Sequence, residues 1–293
     1  MNKSLSGLST FFLNLISRLP FWMLYLLADL LFFIVFYIIG YRRKVTQTNL
    51  ANAFPEKSEQ ERQLIEKKYY RFLADMIMES LKMNSLTAEE INSRCRLINP
   101  EVVQEHYDRG HSVLLASGHY ANWEWANLVL ALRFKEKLLV IFKPLTDKKF
   151  GEYLNNMRSR FGAIMVPMKH TLRKIAEIKK EKYMFGFASD QTPARHESQY
   201  FTNFLNQPTA VFLGLEKIAK NTNNPVVFLH IDRIKRGYYT YIFTTLVEDP
   251  SATTEYEITN LHTHKLEQII RRKPELWLWS HRRWKFKPHE INQ

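Results

Sequence analysis

The sequence is nearly free of cysteine, because Cys95 is the only one among 293 residues. A single cysteine excludes an intramolecular disulfide framework and a cysteine-rich metal site, and it is typical of a reducing compartment. In the run Arg-Cys-Arg-Leu-Ile, we expect this thiol to be half-buried and not a nucleophile. The fold must therefore rest on apolar burial, and 45% hydrophobic residues are enough for a substantial core.

Acidic residues are also in short supply. The chain has 29 Asp and Glu against 42 Lys and Arg, which gives a formal net charge of +13. Such an excess indicates an anionic partner: a membrane surface, an acidic protein, a phosphorylated lipid or nucleic acid. No RNP, helix-turn-helix or zinc pattern is present, which counts against nucleic acid. We assign neither a metal nor a cofactor to the sequence.

One long apolar run stands near the N-terminus, at residues 19–39, and Asp29 is its only charge. About twenty residues at about 1.5 Å each match the thickness of a bilayer core, so this segment is predicted to anchor the protein in a membrane. The carboxylate leaves open whether the helix crosses the bilayer or lies in one leaflet. A buried helix of a soluble protein is the alternative interpretation.

The charges around the apolar run predict its orientation. Arg42, Arg43 and Lys44 follow it directly and outweigh Lys3 and Arg18 before it. By the positive-inside tendency, the body of the protein is expected on the cytoplasmic side. The run is too long for a signal peptide, and no small-x-small cleavage site follows it.

The rest of the chain alternates between strand and helix patterns, without internal repeats or long flexible linkers. Ser58 and Glu61 predict a capping box that opens a long helix ending near Met83. Strands are predicted at 95–98, 113–116, 138–142, 163–166, 183–188, 225–231 and 238–243. Helices are predicted at 101–109, 123–134, 148–161, 172–180, 210–221 and 254–272. This alternation predicts an α/β fold with a mixed central sheet flanked by helices.

The most informative stretch runs from Val113 to Trp125. An apolar strand ends at Gly118, and His119 follows at the carboxyl end of the strand, where open α/β sheets place their chemistry. Glu124 lies about one and a half helical turns further on. A carboxylate that holds one imidazole nitrogen leaves the other free to accept a proton from a hydroxyl. The two residues are therefore predicted to be a base and its orienter, with a hydrogen-bonded structural histidine as the alternative.

Further motifs follow in a characteristic order. They are Ile141-Phe-Lys-Pro144, a helix with Asn155, Arg158 and Arg160, the strand end Phe187-Ala-Ser-Asp-Gln-Thr-Pro193, Phe204-Leu-Asn-Gln-Pro-Thr209, and Pro274 to Lys285. Together with His-x-x-x-x-Glu, the chain resembles the lipid A biosynthesis acyltransferases, the late lauroyl or myristoyl transferases of the bacterial inner membrane. The resemblance covers about residues 42–285. The apolar run and its basic flank predict a membrane anchor at residues 1–44, and the resemblance implies an acyltransferase domain at 45–293.

The resemblance implies a reaction and its residues. A fatty acyl group would pass from the thioester of an acyl carrier protein to a hydroxyl of a phosphorylated lipid or glycolipid, on the cytoplasmic side of the inner membrane. His119 would be the general base, and Glu124 would orient it and stabilise the imidazolium. We assign the stabilisation of the oxyanion to Arg158 or Arg160, with a solvated helix face as the alternative for both.

Other residues are assigned to binding. Asp190 and Gln191 match the Asp-Gln segment of the family and are expected at the floor of the cleft, unless they cap a turn. Lys143 is expected to meet an acceptor phosphate or the phosphopantetheine of the carrier, and Asn122 is also assigned to the substrate. The C-terminal motif, Pro274 to Lys285, is either a solvated basic segment or a membrane interface, where indoles lie at headgroup depth. It carries His281, Arg282 and Arg283 among Trp277, Trp279 and Trp284.

Three rival functions remain. A glycerol-phosphate or lysophosphatidate acyltransferase usually ends the histidine motif with Asp and carries a Phe-Pro-Glu-Gly-Thr-Arg-like block, which this sequence lacks. Another acceptor, such as a lysophospholipid, an aminolipid or a different glycolipid, is not distinguished by any residue. A non-enzymatic basic membrane-bound protein fits the anchor and the charge, but it does not account for His119 and Glu124 at a strand end.

Overall fold

A seven-stranded sheet lies at the centre of the computed structural model, which describes residues 3–288. The strands are β1 (Cys95–Ile98), β2 (Val113–Ser117), β3 (Lys137–Phe142), β4 (Ile164–Pro167), β5 (Tyr183–Ala188), β6 (Phe201–Phe204), β7 (Gln207–Ala210), β8 (Val226–Lys235) and β9 (Tyr238–Val247). The sheet has the order β1-β9-β8-β2-β5-β3-β4, and β6 and β7 form a separate hairpin. Only the β8–β9 pair of the large sheet is antiparallel.

Helices cover the sheet and precede it. They are α1 (Lys3–Ser17), α2 (Phe21–Phe33), α3 (Arg43–Ala53), α4 (Glu59–Lys82), α5 (Ala88–Arg94), α6 (Glu101–Asp108), α7 (Trp123–Arg133), α8 (Lys148–Arg158), α9 (Thr171–Ile178), α10 (Gly214–Thr222) and α11 (Glu257–Arg272). A π-helical stretch, Ile34–Ile39, continues α2. The predicted capping box is present at the start of α4, where Ser58 and Glu61 bond reciprocally. The predicted α/β class with a mixed sheet flanked by helices is confirmed.

Each predicted strand is present within a few residues of its expected bounds, but the β6–β7 hairpin was missed. Its turn consists of Leu205 and Asn206, both with positive φ, 50° and 63°. Two such residues make the turn that suits a tight hairpin, although leucine rarely adopts this conformation. Residues 207–210 therefore form a strand, and the helix predicted at 210–221 begins only at Gly214.

The sheet brings two loops together. β2 is the fourth of the seven strands and is buried along Val113–Ala116, because a central parallel strand is covered on both faces. It pairs in parallel with β5, so that Ser117 lies opposite Ala188. The carboxyl ends of parallel strands meet at one edge of a sheet. The loop after β2 and the loop after β5 are therefore neighbours.

The N-terminal apolar helix packs on this body. Among the described residues, the helix Phe21–Ile39 is long and apolar enough to cross a membrane, by length and composition. One stripe of it is buried: Phe21, Leu24, Ala28, Phe32 and Phe36. Asp29 is paired with Arg236 at 2.8 Å, and the same guanidinium contacts Asp75 of α4. The predicted division between 1–44 and 45–293 stays a prediction, and its ends, 1–2 and 289–293, lie outside the described residues.

Candidate active site

His119 and Asp190 form a close pair where β2 and β5 end. His119 follows β2 and Asp190 follows β5, so the parallel pairing places them side by side although they are 71 residues apart. The imidazole Nδ1 lies 2.6 Å from Asp190 Oδ1, and the backbone N–H of His119 donates to Oδ2 at 2.9 Å. The indole N–H of Trp277 donates to the same Oδ2 at 2.8 Å. Asp190 is therefore held in one orientation by several donors.

Each member of the pair shifts the pKa of the other towards its charged form. Burial lowers the pKa of His119, but the charge of Asp190 and its hydrogen bond raise it more, so the pKa of His119 lies above its ordinary value. Burial also raises the pKa of Asp190, and the His119 charge together with the His119 and Trp277 hydrogen bonds holds that pKa well below its usual range. Asp190 is thus a carboxylate that favours the protonated imidazole.

The second imidazole nitrogen faces a cavity. Its neighbour is the side-chain amide of Gln191, whose Nε2 lies 3.1 Å from His119 Nε2. Because an amide nitrogen donates, the imidazole Nε2 is the acceptor, and Nδ1 carries the hydrogen that bonds Asp190. Trp123 packs edge-on against the ring, with centroids 5.1 Å apart. This tautomer makes Nε2 the basic nitrogen of the ring, and its lone pair accepts the N–H of Gln191.

Glu124 does not contact His119, and here the structure differs from the sequence-based expectation. Its carboxylate forms a bidentate pair with Arg158 of α8, with Nε–Oε2 at 2.7 Å and Nη2–Oε1 at 2.5 Å. The helical spacing does not apply between the two residues, because α7 begins only at Trp123 and Ala121 has a φ of 50°. The carboxylate that holds the imidazole is Asp190, which the sequence assigned to the cleft floor.

Asn122 is a structural residue between these groups. It is fully buried, its Oδ1 caps α7 by accepting the N–H of Trp125 at 3.0 Å, and its Nδ2 donates to Glu79 at 2.6 Å. Both ends of the amide are therefore engaged within the protein. Asn122 is not among the residues that line the cavity in front of His119.

A cavity of about 1090 Å³ opens in front of His119. Its walls are largely apolar, with Leu130, Val140, Leu154, Met165, Phe187 and Leu229 among them. The polar lining includes His119, Glu124, Lys143, Arg158, Gln191 and His281. A large apolar pocket with a few convergent polar groups is typical of a site for an apolar ligand.

Arg160 is placed elsewhere. It does not line the cavity, and its guanidinium donates to the backbone carbonyls of Met83 and Leu86, in the turn that follows α4. Of the two arginines assigned to the oxyanion, only Arg158 lies at the cavity wall. Arg160 instead satisfies carbonyl groups that the helix end leaves without partners.

The C-terminal motif divides into different environments. His281 lines the cavity, accepts a hydrogen bond from the Thr192 N–H at 3.2 Å, and has a pKa that burial lowers to about 4. Arg282 is exposed, whereas Arg283 is 3% exposed, with no partner for Nε and Nη1 among the described residues. Burial lowers the pKa of Arg283 to about 10.

The tryptophans of this motif are core residues. Trp277 and Trp279 are 2% and 0% exposed, and the partly buried Trp284 donates to Thr209 at 2.8 Å. The sequence-based interpretation of these indoles as a membrane interface is therefore wrong, because they fill the space beneath the site. Trp277, which the sequence did not assign to the site, helps to fix Asp190 through its indole N–H, and no local pattern identifies it.

The described residues contain no group of three or more His, Cys, Asp and Glu that could hold a metal ion. The residues that line the cavity supply an imidazole, a carboxylate, an amide and cations around apolar walls. Such an arrangement can remove a proton from a bound group and can stabilise negative charge beside it.

A family model and two curated relatives all relate the chain to lipid A biosynthesis acyltransferases. A model of the family described as bacterial lipid A biosynthesis acyltransferase matches residues 4–286. The lipid A biosynthesis palmitoleoyltransferase of Escherichia coli (strain K12) is 21% identical over 248 residues, covering 84% of this chain and 80% of the relative. The lipid A biosynthesis acyltransferase of Shigella flexneri has the same identity and coverage.

Proposed function

The chain belongs to the bacterial lipid A biosynthesis acyltransferase family, and from this premise we propose how it works as an acyltransferase on a lipid A-type acceptor. The donor is the fatty acyl thioester of an acyl carrier protein. The acceptor is a hydroxyl of a lipid A precursor or a similar phosphorylated glycolipid. The observation that carries the proposal is the imidazole of His119, held by Asp190 with its Nε2 towards an apolar cavity.

In this proposal, His119 is the general base. A hydroxyl is a poor nucleophile at neutral pH, and a base within hydrogen-bond reach is the usual way to activate it. Nε2 takes the proton of the acceptor hydroxyl, and Asp190 stabilises the imidazolium that forms. The raised pKa of His119 makes the imidazole a stronger base, which favours its taking the proton.

The acyl group then passes directly from the thioester to the acceptor, without a covalent enzyme intermediate. The activated oxygen attacks the thioester carbon, and a C–O bond forms as the carbonyl oxygen becomes an oxyanion. When this intermediate collapses, the C–S bond breaks, and the thiolate of the carrier takes the proton from Nε2 of His119. Gln191 and Arg158 are the donors assigned to the oxyanion, because both line the cavity beside His119.

Glu124 acts through Arg158 in this scheme. Their bidentate pair fixes the plane of the Arg158 guanidinium at the cavity wall. The guanidinium is thereby held in one orientation towards the negative charge that develops on the oxyanion. Lys143 and His281 line the same cavity and are assigned to the substrate phosphate or to the phosphopantetheine arm. Arg282 is exposed and Arg283 is buried. We assign both to the acceptor because they follow His281 directly in the chain.

The basic charge supports the choice of partners. A net charge of +13 attracts an acidic carrier protein and an anionic lipid surface. With the apolar helix Phe21–Ile39, it supports association with the inner membrane and a catalytic domain on the cytoplasmic side.

The test is a transfer assay with membrane-extracted enzyme. Acyl carrier protein thioesters are incubated with a phosphorylated glycolipid, a lysophospholipid and an aminolipid, and the product masses are read. We expect acylation of the glycolipid, loss of product in His119→Ala, and full activity in the control His264→Ala, an exposed histidine of α11. Unchanged transfer by a folded His119→Ala enzyme would contradict the mechanism, and acylation of another acceptor alone would contradict the substrate.

A further inference from the structure

The helix Phe21–Ile39 has a buried face and an exposed apolar face. The exposed face consists of Trp22, Leu26, Leu30, Phe33, Tyr37 and Ile38, between 53% and 67% exposed. α1 continues it with Phe11, Phe12 and Leu15, between 51% and 62% exposed. Monomeric soluble proteins rarely leave so large an apolar surface open to water, so this face requires an occupant.

Both ends of the helix contact the same element of the catalytic body. Before its first turn, the carbonyl of Leu19 accepts a hydrogen bond of 3.3 Å from Lys82, the last residue of α4. After its last turn, the carbonyl of Tyr41 accepts one of 2.5 Å from Tyr70, in the middle of α4. Both ends of the helix are therefore held by the half of α4 that runs from Tyr70 to Lys82.

α1 also stays on this body. The side-chain oxygen of Asn14 accepts a hydrogen bond from Asn84 at 2.8 Å and one from Tyr153 of α8 at 3.1 Å. Tyr153 lies on the helix whose Leu154 and Arg158 line the cavity. If the helix after α1 crossed a bilayer, α1 would lie on the opposite side from α8, and these contacts would not form.

Charged groups accompany the helix along its whole packed side. Arg94 lies over the ring of Phe21 at 3.5 Å, Arg236 pairs with Asp29 at the middle, and Arg71 lies over Phe32 at 5.1 Å. A spanning helix would carry these cations into the hydrocarbon core, which strongly opposes charge. If the helix lies flat on the membrane, these cations stay in the water-exposed catalytic body, and only the apolar face of the helix contacts lipid.

The ends of the exposed face carry the charge that anionic lipids attract. Arg18 stands in the turn before α2, and Arg42 and Lys44 follow the π-helical stretch, all of them exposed. Trp22 and Tyr37 contribute the amphipathic rings that favour headgroup depth. Apolar residues between basic ends are typical of a helix in the plane of a membrane.

We propose that the exposed face of residues 11–41 is a docking surface for one leaflet of an anionic phospholipid bilayer, in which the helix Phe21–Ile39 lies flat without crossing. This inference rests on the membrane association in the proposed function and specifies its geometry. The helix is then a part of the folded enzyme that seats it on the cytoplasmic leaflet, and both of its ends are on one side.

The first experiment labels single cysteines on either side of the helix with a membrane-impermeant maleimide. Arg18→Cys and Thr48→Cys are exposed positions before and after it. The unsubstituted enzyme is the blank, because Cys95 is buried and burial raises the pKa of its thiol to about 12. In spheroplasts we expect neither position to react, and after permeabilisation we expect both to react.

Labelling of Arg18→Cys in intact spheroplasts, while Thr48→Cys stays protected, would overturn the inference and leave the proposed acyl transfer untouched. Recovery of the enzyme in the soluble fraction would instead contradict membrane association itself, and with it this inference. The two failures are thus distinguishable in one preparation.

The second experiment tests the surface. We expect the double variant Leu26→Lys, Leu30→Lys to bind phosphatidylethanolamine–phosphatidylglycerol vesicles at least tenfold more weakly than the native enzyme. Leu261→Lys, at a 39% exposed leucine of α11 outside this face, should bind like the native enzyme. Equal vesicle binding by the double variant, or a change of its oligomeric state alone, would overturn the proposal, the latter because a second copy would be the occupant.

Discussion

Glu79 of α4 lies 2.6 Å from the side-chain amide of Asn122, the residue that caps α7 directly after the His119 loop. The hydroxyl of Tyr239 donates to the same carboxylate oxygen at 2.7 Å, and the hydroxyl of Tyr25 of α2 donates to the other at 3.0 Å. The Glu79 backbone carbonyl also accepts the indole N–H of Trp125. One buried carboxylate thus joins the N-terminal helix, the sheet and the active-site loop.

We predict that Glu79→Ala lowers the free energy of unfolding by about 3 kcal/mol, because buried donors lose their acceptor. Glu79→Gln, which keeps one acceptor and the shape, should lose clearly less. Urea unfolding of the two variants measures the difference. Glu89→Ala is the control, since Glu89 is exposed, and an alanine variant at position 79 as stable as this control would contradict the role of Glu79.

Asp190→Asn should lower kcat at least about 100-fold, because the imidazolium loses its counter-charge and the tautomer is no longer fixed. The pH profile should shift as well. Asp190 raises the pKa of His119, so the native base becomes neutral only above the ordinary histidine value. Without that charge the pKa falls, and the acidic limb of kcat/KM should move to lower pH.

The control for this prediction is Asp108→Asn, an exposed aspartate of α6. It should keep both the native rate and the native profile. An Asp190→Asn enzyme whose acidic limb stays in place would show that Asp190 does not set the pKa of the base.

Glu124 and Arg158 should behave as one unit in a double-mutant cycle. The side chains of Glu124 and Arg158 are 15% and 22% exposed. Each single alanine variant therefore leaves the charge of the other residue mostly buried and without its bidentate bonds. The double variant should therefore be more stable than the sum of the two single effects indicates, with a coupling of about 1–3 kcal/mol. Unfolding free energies of the four proteins measure this. Additive effects would show that the pair contributes no coupling.

Gly118→Ala should lower kcat about tenfold or more, by displacing the orienting carboxylate from His119. A Cβ at position 118 would lie 3.1 Å from Asp190 Oδ2 and 2.8 Å from Leu266 Cδ1, so both side chains must shift. Gly7→Ala is the matched control, because a Cβ there meets nothing within 4 Å. The measurement is a steady-state rate with saturating substrates, and native kcat in Gly118→Ala would contradict the tight packing.

The sequence located the active-site loop because a local pattern suffices for it. An apolar run followed by Gly118 and His119 indicates a buried strand and its polar end, and both depend on neighbouring residues only. The partner of His119 could not be found in this way. Asp190 reaches the imidazole because β2 and β5 are paired, and pairing is a long-range property that spacing along the chain does not encode.

The same reason explains the other differences. Trp277 was expected at a membrane interface because its neighbours are basic, but its burial depends on α4 and α11, which pack over the C-terminal motif. The β6–β7 hairpin was missed because its turn places a leucine at positive φ, which composition alone does not predict.

What the sequence by itself determined is the class of fold, the position of His119 at the end of a buried strand and the apolar, basic character of the N-terminus, since periodicity and charge are local properties. The tertiary structure alone decided that Asp190 holds His119 and Glu124 holds Arg158. It also placed the apolar helix along α4 with both ends on the catalytic body. The physical reason is that hydrogen bonds and ion pairs select partners by distance in space, and only the packed sheet brings those partners within reach.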